Sequence, residues 1–472
     1  VVIGLFLMSV CMMASGQAQT ERDIALSRAK AAMAVNVEKA AADPNRPAFH
    51  FLAPANWMND PNGPILYKGW YHVFYQFNPY GDHWGNMHWG HARSHDLVNW
   101  EDMPVALWPS KSNGEDAIFS GSCFLGSGTL GNATPIAFYT SISDKRAPEQ
   151  WSALPEDADL LRWHKSEKNP VLTSTLQEWR DPFLFHKDGN VYMVTGGGKD
   201  GRGIVALYKA TDSSLQKWDA QGILFQDPDK DVHNIECPNF AKVTGGKWVL
   251  LTSVHGRVEY FLGDLDESLH FHPGSRGVLA EGSYASQLLR DKRGNLIHLA
   301  WVPTDEHVGW NGFLTLPSIL TSDASGKLLR TPISTLDKLR TETYSISRRS
   351  LSGPLELPPR LSGDLLEIEA KVEFRDAKEF VVRVRQSADG SRAETLRYPA
   401  STSGINLHLF VDRGVVDEYL DGGVSTRVIK FTAKPEDLGV SLEAIGGSVY
   451  LKNLKISRLR AAEFKTFEPT SK

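Results

Sequence analysis

The sequence predicts an all-β fold, a five-bladed β-propeller followed by a C-terminal antiparallel β-sandwich, and three observations carry that expectation. Aromatic residues reach 10%, and 40 Gly and 25 Pro are distributed among short apolar runs, a composition that favours strands and tight turns. One strand–turn–strand unit recurs five times between Ile65 and Ala300. After Leu336–Thr343 the chain alternates apolar and polar residues.

Taken in order, the chain begins with residues 1–18, which read as a secretory signal peptide. Val1 to Ala14 is almost wholly apolar, and Ser15-Gly16-Gln17-Ala18 supplies small residues for cleavage. The run is shorter than the roughly 20 apolar residues of a membrane-spanning helix, so a secreted or periplasmic protein without stable membrane insertion is expected. Residues 19–46 form a connector, with a modest helix signal in Ile24, Leu26, Met33, Val35 and Val37 that Asp43-Pro44 ends.

Residues 47–336 carry the repeat. Ile65–Tyr75 turns at Lys68-Gly69, Phe183–Val194 at Asp188-Gly189, Phe240–Leu251 at Gly245-Gly246 and Leu288–Ala300 at Arg293-Gly294-Asn295. A looser copy runs from Ser122 to Thr140 around Gly126 to Gly131. Each reads as a β-hairpin, and one sheet unit repeated every 50 to 65 residues is the signature of a propeller, the alternative being an irregular sandwich of the same strands. Residues 344–472 alternate as in Leu365–Val372 and Phe380–Val384, with turns at Asp389-Gly390 and Asp421-Gly422-Gly423, which predicts the sandwich.

Composition excludes several classes of function. With 51 Lys plus Arg against 56 Asp plus Glu, the 472-residue chain has a net charge of −5 and no basic footprint for nucleic acid. Its three cysteines, Cys11, Cys123 and Cys237, make neither a disulfide framework nor a zinc motif. The run His83, His88, His91 and His95 has helical ligand spacing but lies in Trp-Gly and Asn-Met sequence that reads as strand and loop, so it is taken as polar scaffold.

Three carboxylates stand just ahead of three hairpins: Asp60 in Trp57-Met58-Asn59-Asp60-Pro61-Asn62-Gly63, Asp181 in Arg180-Asp181-Pro182, and Glu236 in Glu236-Cys237-Pro238. A single Asp-Pro is ordinarily a turn. Three in register would face one propeller axis and converge. Converging acids can hold a divalent cation or act on a glycosidic bond as nucleophile, general acid and charge stabiliser. Arg180 beside Asp181 favours the second, because a cation there competes with a metal; neither metal nor cofactor is expected.

The same residues resemble the signature of glycoside hydrolase family 32, the β-fructofuranosidases, inulinases, levanases and related fructosyltransferases. The resemblance continues through Phe74-Tyr75-Gln76-Phe77-Asn78-Pro79, Trp89-Gly90-His91-Ala92, Ser94-His95-Asp96-Leu97 and Phe119-Ser120-Gly121-Ser122 to the two later carboxylate motifs. It extends more weakly to Phe410–Tyr419. It implies a five-bladed propeller plus sandwich, with Asp60 as nucleophile, Asp181 as transition-state stabiliser and Glu236 as acid/base. It also implies retaining cleavage of β-fructosides such as sucrose, fructo-oligosaccharides, inulin or levan. The chain departs from the family pattern at Gly282-Ser283-Tyr284-Ala285 and Pro317-Ser318.

The chemistry explains why these residue types are needed. A carboxylate attacking the anomeric carbon must be ionised and its partner must carry a proton, so two carboxyls need different surroundings. Asn59 is placed to keep Asp60 ionised. Gln76 and Ser120 are candidates for hydrogen bonds to the sugar, Arg180 for a further polar contact, and Trp57, Trp84 and Phe119 for an apolar floor. The alternatives are a fructosyltransferase using the same intermediate and a non-catalytic fructan-binding protein.

Overall fold

A computed structural model describes residues 21–304 and 308–468; the expected signal peptide lies outside the described residues. Residues 21–34 are helical and a short helix follows at Val37–Ala42, stopping at Asp43 because Pro44 cannot continue it. Among the described residues no helix is long and apolar enough to cross a membrane.

The hairpins of the sequence repeat stand as expected. Lys68-Gly69 and Asp188-Gly189 both adopt positive φ at their two turn residues, the backbone twist that joins two right-twisted strands without splaying them. Five strands open successive sheets: Asn56–Tyr67, Ala117–Gly128, Gln177–Lys187, Glu236–Lys242 and Tyr284–Arg290. Each contacts the next and the last contacts the first, so they form a closed ring of inner strands.

The expected five-bladed propeller requires a correction. Four sheets are self-contained blades of strands close in sequence, opening with Ala117–Gly128, Gln177–Lys187, Glu236–Lys242 and Tyr284–Arg290. The first sheet is composite. To its four consecutive strands between Asn56 and Leu107 it adds Trp310–Asn311 in parallel on one edge and Phe464–Thr466 in parallel on the other.

The C-terminal sheet has nine strands, and its centre is the 21-residue strand Gly439–Leu459. One edge of that strand pairs with Glu379–Gln386 and then Leu365–Phe374; the other pairs with Arg349–Glu356 and then Arg340–Ile346. A change of partner falls around Gly446-Gly447, both at positive φ, and the sheet encloses a core of Ile368, Phe380, Val382, Leu409, Leu442 and Ile456. The result is sandwich-like. A second core joins this sheet to the propeller, bringing Phe410, Tyr419 and Val428 against Phe49, Leu316 and Leu336.

Candidate active site

At one level of the ring every inner strand carries one extra residue against its neighbour. Asn59-Asp60 oppose Gln76, Phe119-Ser120 oppose Thr140, Asp181-Pro182 oppose Thr195, Cys237-Pro238 oppose Thr252, and Ala285 is inserted between the pairs Tyr284↔Trp301 and Ser286↔Ala300. Asp181, Cys237 and Ala285 take left-handed φ of 60°, 46° and 50°. Such bulges re-aim side chains and are typical beside active sites.

This register corrects the expectation that the three carboxylates occupy one equivalent position. Asp60 is the second bulge residue of its strand, Asp181 the first of its strand, and Glu236 the residue before its bulge. They are staggered by one residue each, yet they converge. The Cys237 thiol lies 3.5 Å from Oδ2 of both Asp60 and Asp181, and the Cys237 backbone N–H donates to Asp181 Oδ2 at 2.8 Å. Arg180 donates to Glu236 Oε1 at 2.6 Å and has its Nε 3.9 Å from Asp181 Oδ2.

Asp60 accepts hydrogen bonds from Ser120 Oγ on Oδ2 and from Asn59 Nδ2 on Oδ1, the latter at 2.9 Å. The Trp57 indole N–H donates to Asn59 Oδ1 at 2.8 Å and so fixes which way that amide points. Burial raises the Asp60 pKa and the Glu236 charge adds to that, while Ser120, Asn59 and Cys237 oppose it. Burial also pushes Asp181 up to about 7; Arg180 opposes the shift and the charges of Asp60 and Glu236 reinforce it. Its N–H donates to Thr140 Oγ1 at 3.0 Å. Gln76 is 2% exposed, and neither of its amide atoms has a partner among the described residues, a group that calls for a ligand. Trp84 is 60% exposed and meets Phe119 edge-on, centroids 6.2 Å apart.

All ten expected site residues thus gather at one end of the ring. Sequence reasoning underrated two others. Tyr284, noticed only as part of a departure from the family pattern, donates its hydroxyl to Glu236 Oε2 at 2.9 Å. Arg180, Glu236 and Tyr284 each immediately precede a bulge in consecutive blades, so the signal was present in the repeat register. Cys237, buried, bridges Asp60 and Asp181 through its thiol; burial raises its pKa well above the ordinary value, and it stays a thiol. Cys123 and Cys237 are both free and buried.

The histidine run does not gather. His72 and His91 share a 3.0 Å contact, His88 bonds the Asn86 carbonyl at 2.5 Å, and His95 stacks on Trp70. Among the described residues one group has metal-ligand spacing, Glu367, Glu369 and His408 in the C-terminal sheet, and its acids already pair with Arg340 and Lys455.

Residues 50–332 match the Glycosyl hydrolases family 32 N-terminal domain. The chain is similar to a sucrose-6-phosphate hydrolase of Escherichia coli, at 27% identity over 455 residues that cover 86% of this chain and 93% of the relative. It is also similar to a levanase of Bacillus subtilis, at 30% identity over 492 residues, 88% of this chain and 70% of the relative. Among solved structures, fructan 1-exohydrolase IIa from Cichorium intybus superposes with a TM-score of 0.81 over 90% of this chain and 99% of that chain, at 23% identity, a likeness of fold.

Proposed function

The chain belongs to glycosyl hydrolase family 32 and is a glycoside hydrolase of the β-fructofuranosidase type, and we propose that it is a secreted, retaining enzyme that removes terminal β-D-fructofuranosyl units from sucrose and fructans. In this reading residues 47–336 carry the chemistry and residues 344–472 form an appended module. Asp60 is the nucleophile, Glu236 the acid/base and Asp181 the stabiliser of the charged sugar ring.

The observation that carries the reading is the shared contact of Asp60 and Asp181 with Cys237, one residue from Glu236. In the first step an Asp60 oxygen bonds to the anomeric carbon as the bond to the leaving oxygen breaks. That oxygen keeps the electron pair and takes the proton of Glu236. In the second step water attacks the same carbon, gives its proton to Glu236 and releases Asp60. Asp181 moves no proton; it accepts hydrogen bonds from ring hydroxyls, and Gln76, opposite Asn59-Asp60, supplies an unpaired donor and acceptor. Trp57, Trp84 and Phe119 offer apolar faces, with Arg180 holding Glu236 in place.

The test is purified protein incubated with sucrose, inulin and levan, beside Asp60→Asn. Free fructose is expected, with activity reduced about 10⁴-fold or more in the variant and folding retained. Kestose-type products in place of fructose would make the protein a transferase. Binding without product would make it a lectin-like module.

A further inference from the structure

A cavity of about 610 Å³, within the range of small-molecule sites, lies between the helix at residues 21–34 and the loop that joins Asn78 to His88. Glu21 and Arg28 line it from the helix, Tyr80 and Asn86 from the loop, and Lys111 and Asp116 from the segment ahead of the inner strand Ala117–Gly128. The helix is fastened there, because Glu21 accepts hydrogen bonds from the Ser112 hydroxyl and N–H.

The cavity adjoins the catalytic end of the ring. Asp116 precedes Ser120, the donor to Asp60, by four residues, at most about 13 Å at the rise of a strand. His88, which also lines the cavity, precedes Trp89, whose indole N–H donates to the Phe119 carbonyl at 3.1 Å. Trp84 belongs to the same 78–88 loop as Tyr80 and Asn86 and meets Phe119, the neighbour of Ser120, so the two rings connect the cavity wall to the catalytic strand. A fructan of three or four units is the class of ligand long enough to hold its terminal unit at Asp60 and a later unit in the cavity.

The chemistry of the walls suits a neutral polyol. Tyr80 is 44% exposed, an aromatic face available to the apolar face of a sugar. Arg28 and Asn86 offer planar polar groups that meet hydroxyls in pairs. Two cations and two acids balance, and Lys111 is paired with Asp116 at 2.8 Å, so the cavity carries no net charge to attract a phosphate.

We propose that this cavity is a distal binding site for β-fructan chains, built by the N-terminal helix, that makes oligomers better substrates than sucrose; the proposal rests on the fructosidase reading above. The test is steady-state kinetics of wild type, Tyr80→Ala and Arg28→Ala on sucrose, sucrose 6-phosphate, fructan tetrasaccharides and long inulin, with thermal unfolding of each protein. Wild type should show a KM that falls with chain length. Each variant should raise KM for the tetrasaccharides by about five- to tenfold, leave kcat alone and leave sucrose unchanged. Equal losses on sucrose and tetrasaccharide, or no loss on either, would overturn the site. So would a wild-type preference for sucrose 6-phosphate that Arg28→Ala removes, which would make it an anion site. Arg28 is exposed on the helix, so that variant tests the idea even if Tyr80→Ala fails to fold. Absence of fructose release from every substrate is a different result and overturns the underlying reading.

Discussion

Glu236 illustrates how much a single residue depends on its neighbours. Arg180 holds one of its oxygens and Tyr284 the other, and a protonated carboxyl must release one of those contacts to face a leaving group. A general acid contributes about 10² to 10⁴-fold, most where the leaving oxygen is poor. Glu236→Ala should therefore lose activity on sucrose by that factor and far less in fructosyl transfer from an activated aryl fructoside, measured as the initial burst. Equal losses would mean that another group delivers the proton. The three carboxylates were legible because each is followed within two residues by a proline ahead of a hairpin. Tyr284 was not, since its partner Glu236 lies 48 residues away and only the bulge register aligns the two.

The bulged inner strand is the element on which the site depends. Gly121 follows the Phe119-Ser120 bulge, and a Cβ there would lie 1.9 Å from the Phe138 carbonyl oxygen. Backbone cannot give way as a side chain can, so Gly121→Ala must separate the two strands and move Ser120 away from Asp60. The variant should lose stability by about 2 kcal/mol or more and most of its activity, read by urea unfolding and sucrose hydrolysis. Wild-type values in both would show that Ser120 does not depend on this strand. The hairpins were readable from their Gly turns, whereas the composite first sheet was not. Trp310–Asn311 and Phe464–Thr466 are two and three residues long, too short to show a period.

At the scale of the molecule, His50 ties the entry to the propeller to the C-terminal sheet. Its ring is fully buried between Asp412 at 2.8 Å and Asp417 at 2.6 Å, and Asp412 also accepts the N–H groups of Ala48, Phe49 and His50. Burial pushes the imidazole pKa down, but Asp417 and Asp412 outweigh it and raise it to about 9. A folded pKa above the ordinary 6.5 stabilises fully below pH 6.5 and is lost as pH rises through 9. His50→Ala leaves two buried carboxylates unpaired and should cost about 3 to 5 kcal/mol near pH 6, with the gap from wild type narrowing toward pH 10. An equal gap at both pH values would contradict the charged pairing. The alternation of the C-terminal strands was visible in the sequence. This clamp was not, because one histidine and two aspartates some 360 residues apart leave no local pattern. The central claim, that Asp60 attacks the sugar and Glu236 assists, is tested most directly by proton NMR of the fructose released in the first moments of sucrose cleavage. Release as β-fructofuranose, later equilibrating, is the result the account predicts; α-fructofuranose appearing first would contradict it.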